Sequence, residues 1–107
     1  MTATEDKALT DLKESLQTFL GNRLVRLVLF GSRVRGDYSG ESDFDIAILV
    51  RGLTRELKNQ ILDKVSEIEF EFLTPFSALV LSEDEFSHLK RRERRIALDI
   101  EAEGVSL

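Results

Sequence analysis

"LVRLVLFGSRVRGDYSGESDFDIAILV", residues 24 to 50, decides the fold of this chain. Its two ends, "LVRLVLF" (24–30) and "FDIAILV" (44–50), are short, nearly continuous apolar runs. Runs of that length and composition are what strands covered on both faces require. Between them lies a polar loop with Gly31, Ser32, Arg33, Arg35 and Gly36, closed by Asp43 and Asp45. Residues i and i+2 of a strand share a face about 6.6 Å apart, so Asp43 and Asp45 are expected to project together, with Phe44 and Ile46 on the other side. Two converging carboxylates repel each other and lose hydration, and a cation between them removes both costs. Oxygen ligands without His or Cys nearby suit Mg²⁺ or Mn²⁺ rather than zinc. The alternative for the pair alone is that it ends the loop and is satisfied by backbone N–H groups.

The loop upstream tips that balance. Glycine lets a ligand approach the backbone closely, and successive N–H groups at a strand-to-helix turn make a nest for anions. Ser32 adds a hydroxyl donor, and Arg33 and Arg35 add charge suited to phosphate oxygens. Taken singly, each arginine also reads as a solvated loop residue. A phosphate cradle beside a divalent-metal site is the chemistry of a nucleoside triphosphate with Mg²⁺.

Outward from this stretch, Leu9, Leu12, Leu16, Phe19 and Leu20 recur at helical spacing, with Gly21 as a stop. Leu57, Ile61, Val65, Ile68 and Phe72 mark a second helix, with Thr54 as a plausible N-cap. "IEFEF" (68–72) also alternates like a strand, but the longer periodic run favours helix. After Pro75, "FSALVLS" (76–82) reads as a third strand. Ser82 and Glu85 form a capping box for a last helix with Phe86, Leu89, Ile96 and Ile100 as its apolar stripe, interrupted by "KRRERR" (90–95) and ended by Gly104. The expectation is an α/β (α+β) domain spanning 1–107: a small mixed sheet flanked by helices.

Composition narrows the classes. The chain has 107 residues, no cysteine and a formal charge of −5. Disulfides and thiolate zinc sites are excluded, and a free-standing nucleic-acid binder would normally be basic. No apolar run approaches the ~18 residues of a membrane span, and the polar, acidic N-terminus is unlike a signal peptide. A cytoplasmic location is expected.

"GS", ten intervening residues and "DFD" (31–45) together resemble the signature of the nucleotidyltransferase superfamily that includes DNA polymerase β. The length and strand-loop-strand context look like its smallest branch, the minimal nucleotidyltransferases, and the closing "DIEAEGVSL" is similar to the ending of such proteins. The resemblance implies that Gly31 and Ser32 hold the triphosphate of ATP and that Asp43 and Asp45 bind Mg²⁺. Arg33 and Arg35 match positions that are commonly basic in the branch and are expected at the nucleotide. The implied reaction is attack of an acceptor hydroxyl on the α-phosphorus, with pyrophosphate leaving. Minimal nucleotidyltransferases commonly pair with a small helical HEPN partner as antitoxin and toxin, and some transfer AMP to a tyrosine of that toxin. The same role is implied here, in a homo- or hetero-oligomer.

The pattern departs from the superfamily in one place. Full members carry a third carboxylate on the next core strand, and "FSALVLS" has none; Ser77 stands near where it is expected. Glu69 and Glu71 would substitute only if "IEFEF" were extended. Two other readings therefore stay open: a non-catalytic antitoxin acting by contact, and nucleotide transfer to RNA or a small molecule. His88 reads as a surface residue, Tyr38 as an ordinary loop position, and "KRRERR" as a solvated helix face with Glu93–Arg pairs.

Overall fold

The computed structural model describes residues 2–36 and 43–107, with the side chain of Ser32 excepted. All three strands read from the sequence form within the expected bounds. They are β1 (Leu24–Phe30), β2 (Phe44–Val50) and β3 (Phe76–Ser82). Their helices are α1 (Ala3–Leu20), the one-turn α2 (Ser32–Arg35), α3 (Arg55–Phe72), α4 (Glu83–Arg91) and α5 (Arg95–Glu103). A two-residue strand, β4 (Val105–Ser106), completes a mixed four-stranded sheet in the order β3-β2-β1-β4. β1 runs antiparallel to β2 and to β4, while β2 and β3 are parallel, with α3 as the crossover between them.

Strand alternation divides the core between two faces. Leu27, Leu29, Phe44, Ile46, Ile48, Val50 and Val80 pack against the apolar stripes of α1 (Leu9, Leu12, Leu16, Leu20) and α3 (Leu57, Ile61, Val65, Ile68). Val28, Phe30, Ala47, Leu49 and Leu81 face Phe86 of α4 and Ala97 and Ile100 of α5. Burial of both faces explains why β1 and β2 read as continuous apolar runs. Phe19, expected in the α1 stripe, lies at its edge, with the Lys64 ammonium 4.6 Å from its ring centre.

Caps fix the helix starts. Thr54 accepts from Leu57 N–H at 3.1 Å, and Ser82 and Glu85 form the expected capping box. A second box, Thr2 with Glu5, starts α1. α3 runs through "IEFEF", so Glu69 and Glu71 are helical. The Glu69 carboxylate accepts from Phe76 N–H at 3.1 Å and ties the helix end to the start of β3.

The C-terminal region corrects the sequence reading. One helix interrupted by "KRRERR" was expected; the chain instead breaks there into α4 and α5. Glu93 takes a left-handed conformation (φ 52°). The amides of Glu93 and Arg94 then return to the carbonyls of Lys90 and Leu89 at 3.0 Å each. That pattern closes a helix in the manner usually given to glycine. The break turns the chain so that both Phe86 and the Ala97–Ile100 face reach one sheet surface. Gly104 ends α5 as expected, for a packing reason: a Cβ there would strike the Ile100 carbonyl and the Val28 side chain. The residues after it add β4 to the β1 edge, and Leu107 N–H donates to the Leu27 carbonyl at 2.9 Å. Among the described residues no helix is long and apolar enough to cross a membrane.

Candidate active site

β1 delivers the chain to the site and β2 carries it away. Phe30, the last residue of β1, stands opposite Asp45, and Asp45 stands opposite Ser77 across the parallel β2–β3 pair. Asp45 therefore sits on a central strand and faces the α4–α5 side of the sheet. Directly after β1, Gly31 adopts φ +83°, a conformation costly for residues with a Cβ. Its carbonyl accepts from the amides of Val34 and Arg35 at 3.1 and 3.2 Å and so closes α2. A Cβ on Gly31 would run into the Asp45 carboxylate. The glycine thus lets backbone and carboxylate sit side by side, where a Cβ would force the Asp45 side chain to move.

Burial pushes the Asp45 carboxyl above the usual carboxylate range, the neighbouring Asp43 charge adds to the rise, and Arg35 partly offsets it. Asp43 immediately precedes β2 and is exposed. A half-buried carboxylate that feels a second negative charge is suited to a cation, and the donors are hard oxygens that fit Mg²⁺. The third acid of the superfamily pattern is absent at Ser77, and no group of three acidic, His or Cys residues able to hold a metal occurs among the described residues.

An open cleft of about 540 Å³ lies over this surface, lined by Gly31, Asp45 and Ser77 on the sheet side, by Arg35, and by Arg95, Ile96 and Asp99 of α5. That volume falls within the range of small-ligand sites. Of the two loop arginines, only Arg35 lines it. Side chains two apart on a helix diverge by about 200°, so α2 cannot aim both at one place. Arg33 goes the other way. Its guanidinium lies 4.3 Å from the Phe44 ring centre and pairs with Glu5 at 3.2 Å, and its side chain is only 8% exposed. Arg35 pairs with Glu103 of α5 at 3.1 Å.

Ser32 begins α2, but its side chain lies outside the described residues, as does Tyr38. His88 is exposed on α4, as expected for a surface residue. The contribution of α5 was not foreseen. Its one sequence signal was the Arg95–Asp99 pair at i, i+4; Ile96, expected in the apolar stripe of the last helix, is instead 40% exposed, because α5 turns Ala97 and Ile100 to the sheet.

The structure resembles, over 99% of this chain and 86% of the other, a crystal structure of a candidate nucleotidyltransferase from Sulfolobus solfataricus, at a TM-score of 0.53 and 22% identity. That likeness concerns the fold. Two Methanocaldococcus jannaschii proteins described as candidate protein adenylyltransferases are similar in sequence. MJ0141 is 39% identical over 52% of this chain and 57% of its own length, and MJ0604 is 30% identical over 78% and 79%. The matched part of this chain thus spans little more than half of MJ0141. Residues 9–101 match the profile described as the nucleotidyltransferase domain, a span reaching from α1 to α5 and containing the whole cleft, and the chain belongs to that family.

Proposed function

We propose that this chain is a protein adenylyltransferase that transfers AMP from Mg²⁺·ATP to a tyrosine hydroxyl of a HEPN-type helical toxin, and so acts as its antitoxin. One observation carries the nucleotide half of this reading: Gly31 backbone packed on the Asp45 carboxylate at the floor of a cleft that also receives Arg35. Gly31 and Ser32 would hold the triphosphate, with Arg35 as the nearby cation. Asp43 and Asp45 would hold Mg²⁺, which when bound supplies charge neutralisation at the phosphates. In the transfer, the acceptor oxygen bonds to the α-phosphorus and the bond to the bridging oxygen breaks. Pyrophosphate departs, and the hydroxyl proton passes to water. The chain's part is to place the nucleotide over β2 with its α-phosphorus open to the acceptor. A protein acceptor is supported by the similarity to the two M. jannaschii proteins.

Ser77 opposite Asp45 favours a second reading, an antitoxin that binds nucleotide and silences its partner by contact. Intact-mass spectrometry of the partner after incubation with the chain, Mg²⁺ and ATP separates the two. Catalysis adds the mass of AMP to the partner, and Asp43→Asn abolishes the addition while leaving the complex intact. An unmodified partner that is still silenced, with or without the substitution, is the result that overturns the enzyme.

A further inference from the structure

The site assigned above uses one side of the cleft, the sheet and α2. Its other side is α5, and three features there are unexplained by the core. Ile96 is 40% exposed although apolar, while Ala97 and Ile100 beside it are buried against the sheet. Arg95 is 87% exposed yet lines the cleft, with its Nε donating to Asp99 Oδ1 at 3.1 Å. Ile96, Asp99 and Glu103 fall at spacings of three and four, so they form one row along the helix. Each acid of that row holds a cleft arginine: Asp99 holds Arg95 and Glu103 holds Arg35.

We propose that α5 is the second wall of the nucleotide site, with Arg95 binding phosphate oxygens and Ile96 packing against the nucleoside. The proposal rests on the nucleotide-binding part of the function above. Five planar donors make a guanidinium able to bind phosphate in two-pronged fashion, and Asp99 occupies only the Nε edge. An exposed intrahelical pair with Asp99 contributes little, so a phosphate displaces the carboxylate readily. Arg35 and Arg95 both line the cleft whose floor is Asp45, so a triphosphate seated there meets a cation from α2 and another from α5. Ile96 adds an exposed apolar surface on the α5 side, opposite the partly buried Leu79 and Ala78 of β3, against which the nucleoside can pack.

Calorimetry with Mg²⁺·ATP and with Mg²⁺·triphosphate tests each part. Arg95→Ala is expected to weaken both ligands about tenfold, with Arg95→Lys recovering part of the loss. Ile96→Ala is expected to weaken ATP about threefold and to leave inorganic triphosphate unchanged. Asp99→Asn is the discriminating variant: it removes the competitor for Arg95 and tightens both ligands, whereas a merely structural Arg95–Asp99 pair makes it behave like Arg95→Ala. Melting temperatures of the variants, all at exposed or half-exposed positions, show that the fold is kept. Wild-type affinity in Arg95→Ala, or a loss in Asp99→Asn equal to that in Arg95→Ala, overturns the α5 wall alone. A wild-type chain that binds neither ligand overturns the wall together with the nucleotide site on which it rests.

Discussion

Asp45 is held in a place that suits a cation and taxes the fold without one. Its carboxyl is raised by burial and by Asp43, so the native state binds that proton more tightly than the unfolded chain does. Above the folded value the charged group costs stability; as pH falls toward the ordinary carboxylate range the cost disappears. In chelator at neutral pH, Asp45→Asn is therefore expected to melt above wild type. The gap should close as the pH is lowered into the acid range, while the same substitution removes Mg²⁺-dependent ATP binding. Thermal melts across a pH series check this; a variant melting below wild type at pH 7 would contradict it. Arg33 makes the opposite case. Its partners, Glu5 and Phe44, join α2 to α1 and β2, so Arg33→Ala is expected to cost about 1–2 kcal/mol by urea unfolding. Its effect on Mg²⁺·ATP affinity should stay within about twofold, since it acts away from the cleft.

Element ends show where the backbone departs from what side chains prefer. α3 stops at Leu73, in the left-handed region at φ 50° and 84% exposed, with Thr74 N–H reaching back to the Glu69 carbonyl at 3.1 Å. Pro75 then prevents further helix. A leucine there carries the left-handed penalty and buries almost nothing in return. Leu73→Gly is accordingly expected to raise stability by about 0.5–1 kcal/mol, read as a higher urea midpoint at unchanged slope. The same conformation at Glu93 made the α4–α5 break hard to foresee. Helix stops are usually announced by glycine, and "KRRERR" has no glycine and good helix formers throughout. By contrast Thr54, Ser82 and Gly104 announced their boundaries, because each acts through its own side chain or through having none.

Across the whole molecule, the three long strands and the approach of Gly31 to Asp45 were legible because their pattern is local. Strands covered on both faces read as apolar runs, and a glycine loop leading to paired aspartates is written within 15 residues, 31–45. What escaped depends on contacts between distant segments. β4 is too short to have a pattern of its own and exists only as an addition to β1. The division of labour between Arg33 and Arg35 follows from the one-turn helix that carries them. The cleft's far wall follows from the turn at Glu93, which no spacing announces.

The position of α5 and β4 after the three long strands has a consequence for the order in which these parts of the fold form during synthesis. By the time Ser82 has emerged, β1, β2 and β3 can already pair, and Gly31 can close on Asp45. The cleft still lacks α5, and the β1 edge still lacks β4. Bringing residues 95–106 back onto a strand that began at residue 24 closes a long loop, a contact that forms after the three long strands have been made. A nascent chain can therefore hold Gly31 against Asp45, with the cleft still open on one side, until residues 95–106 dock.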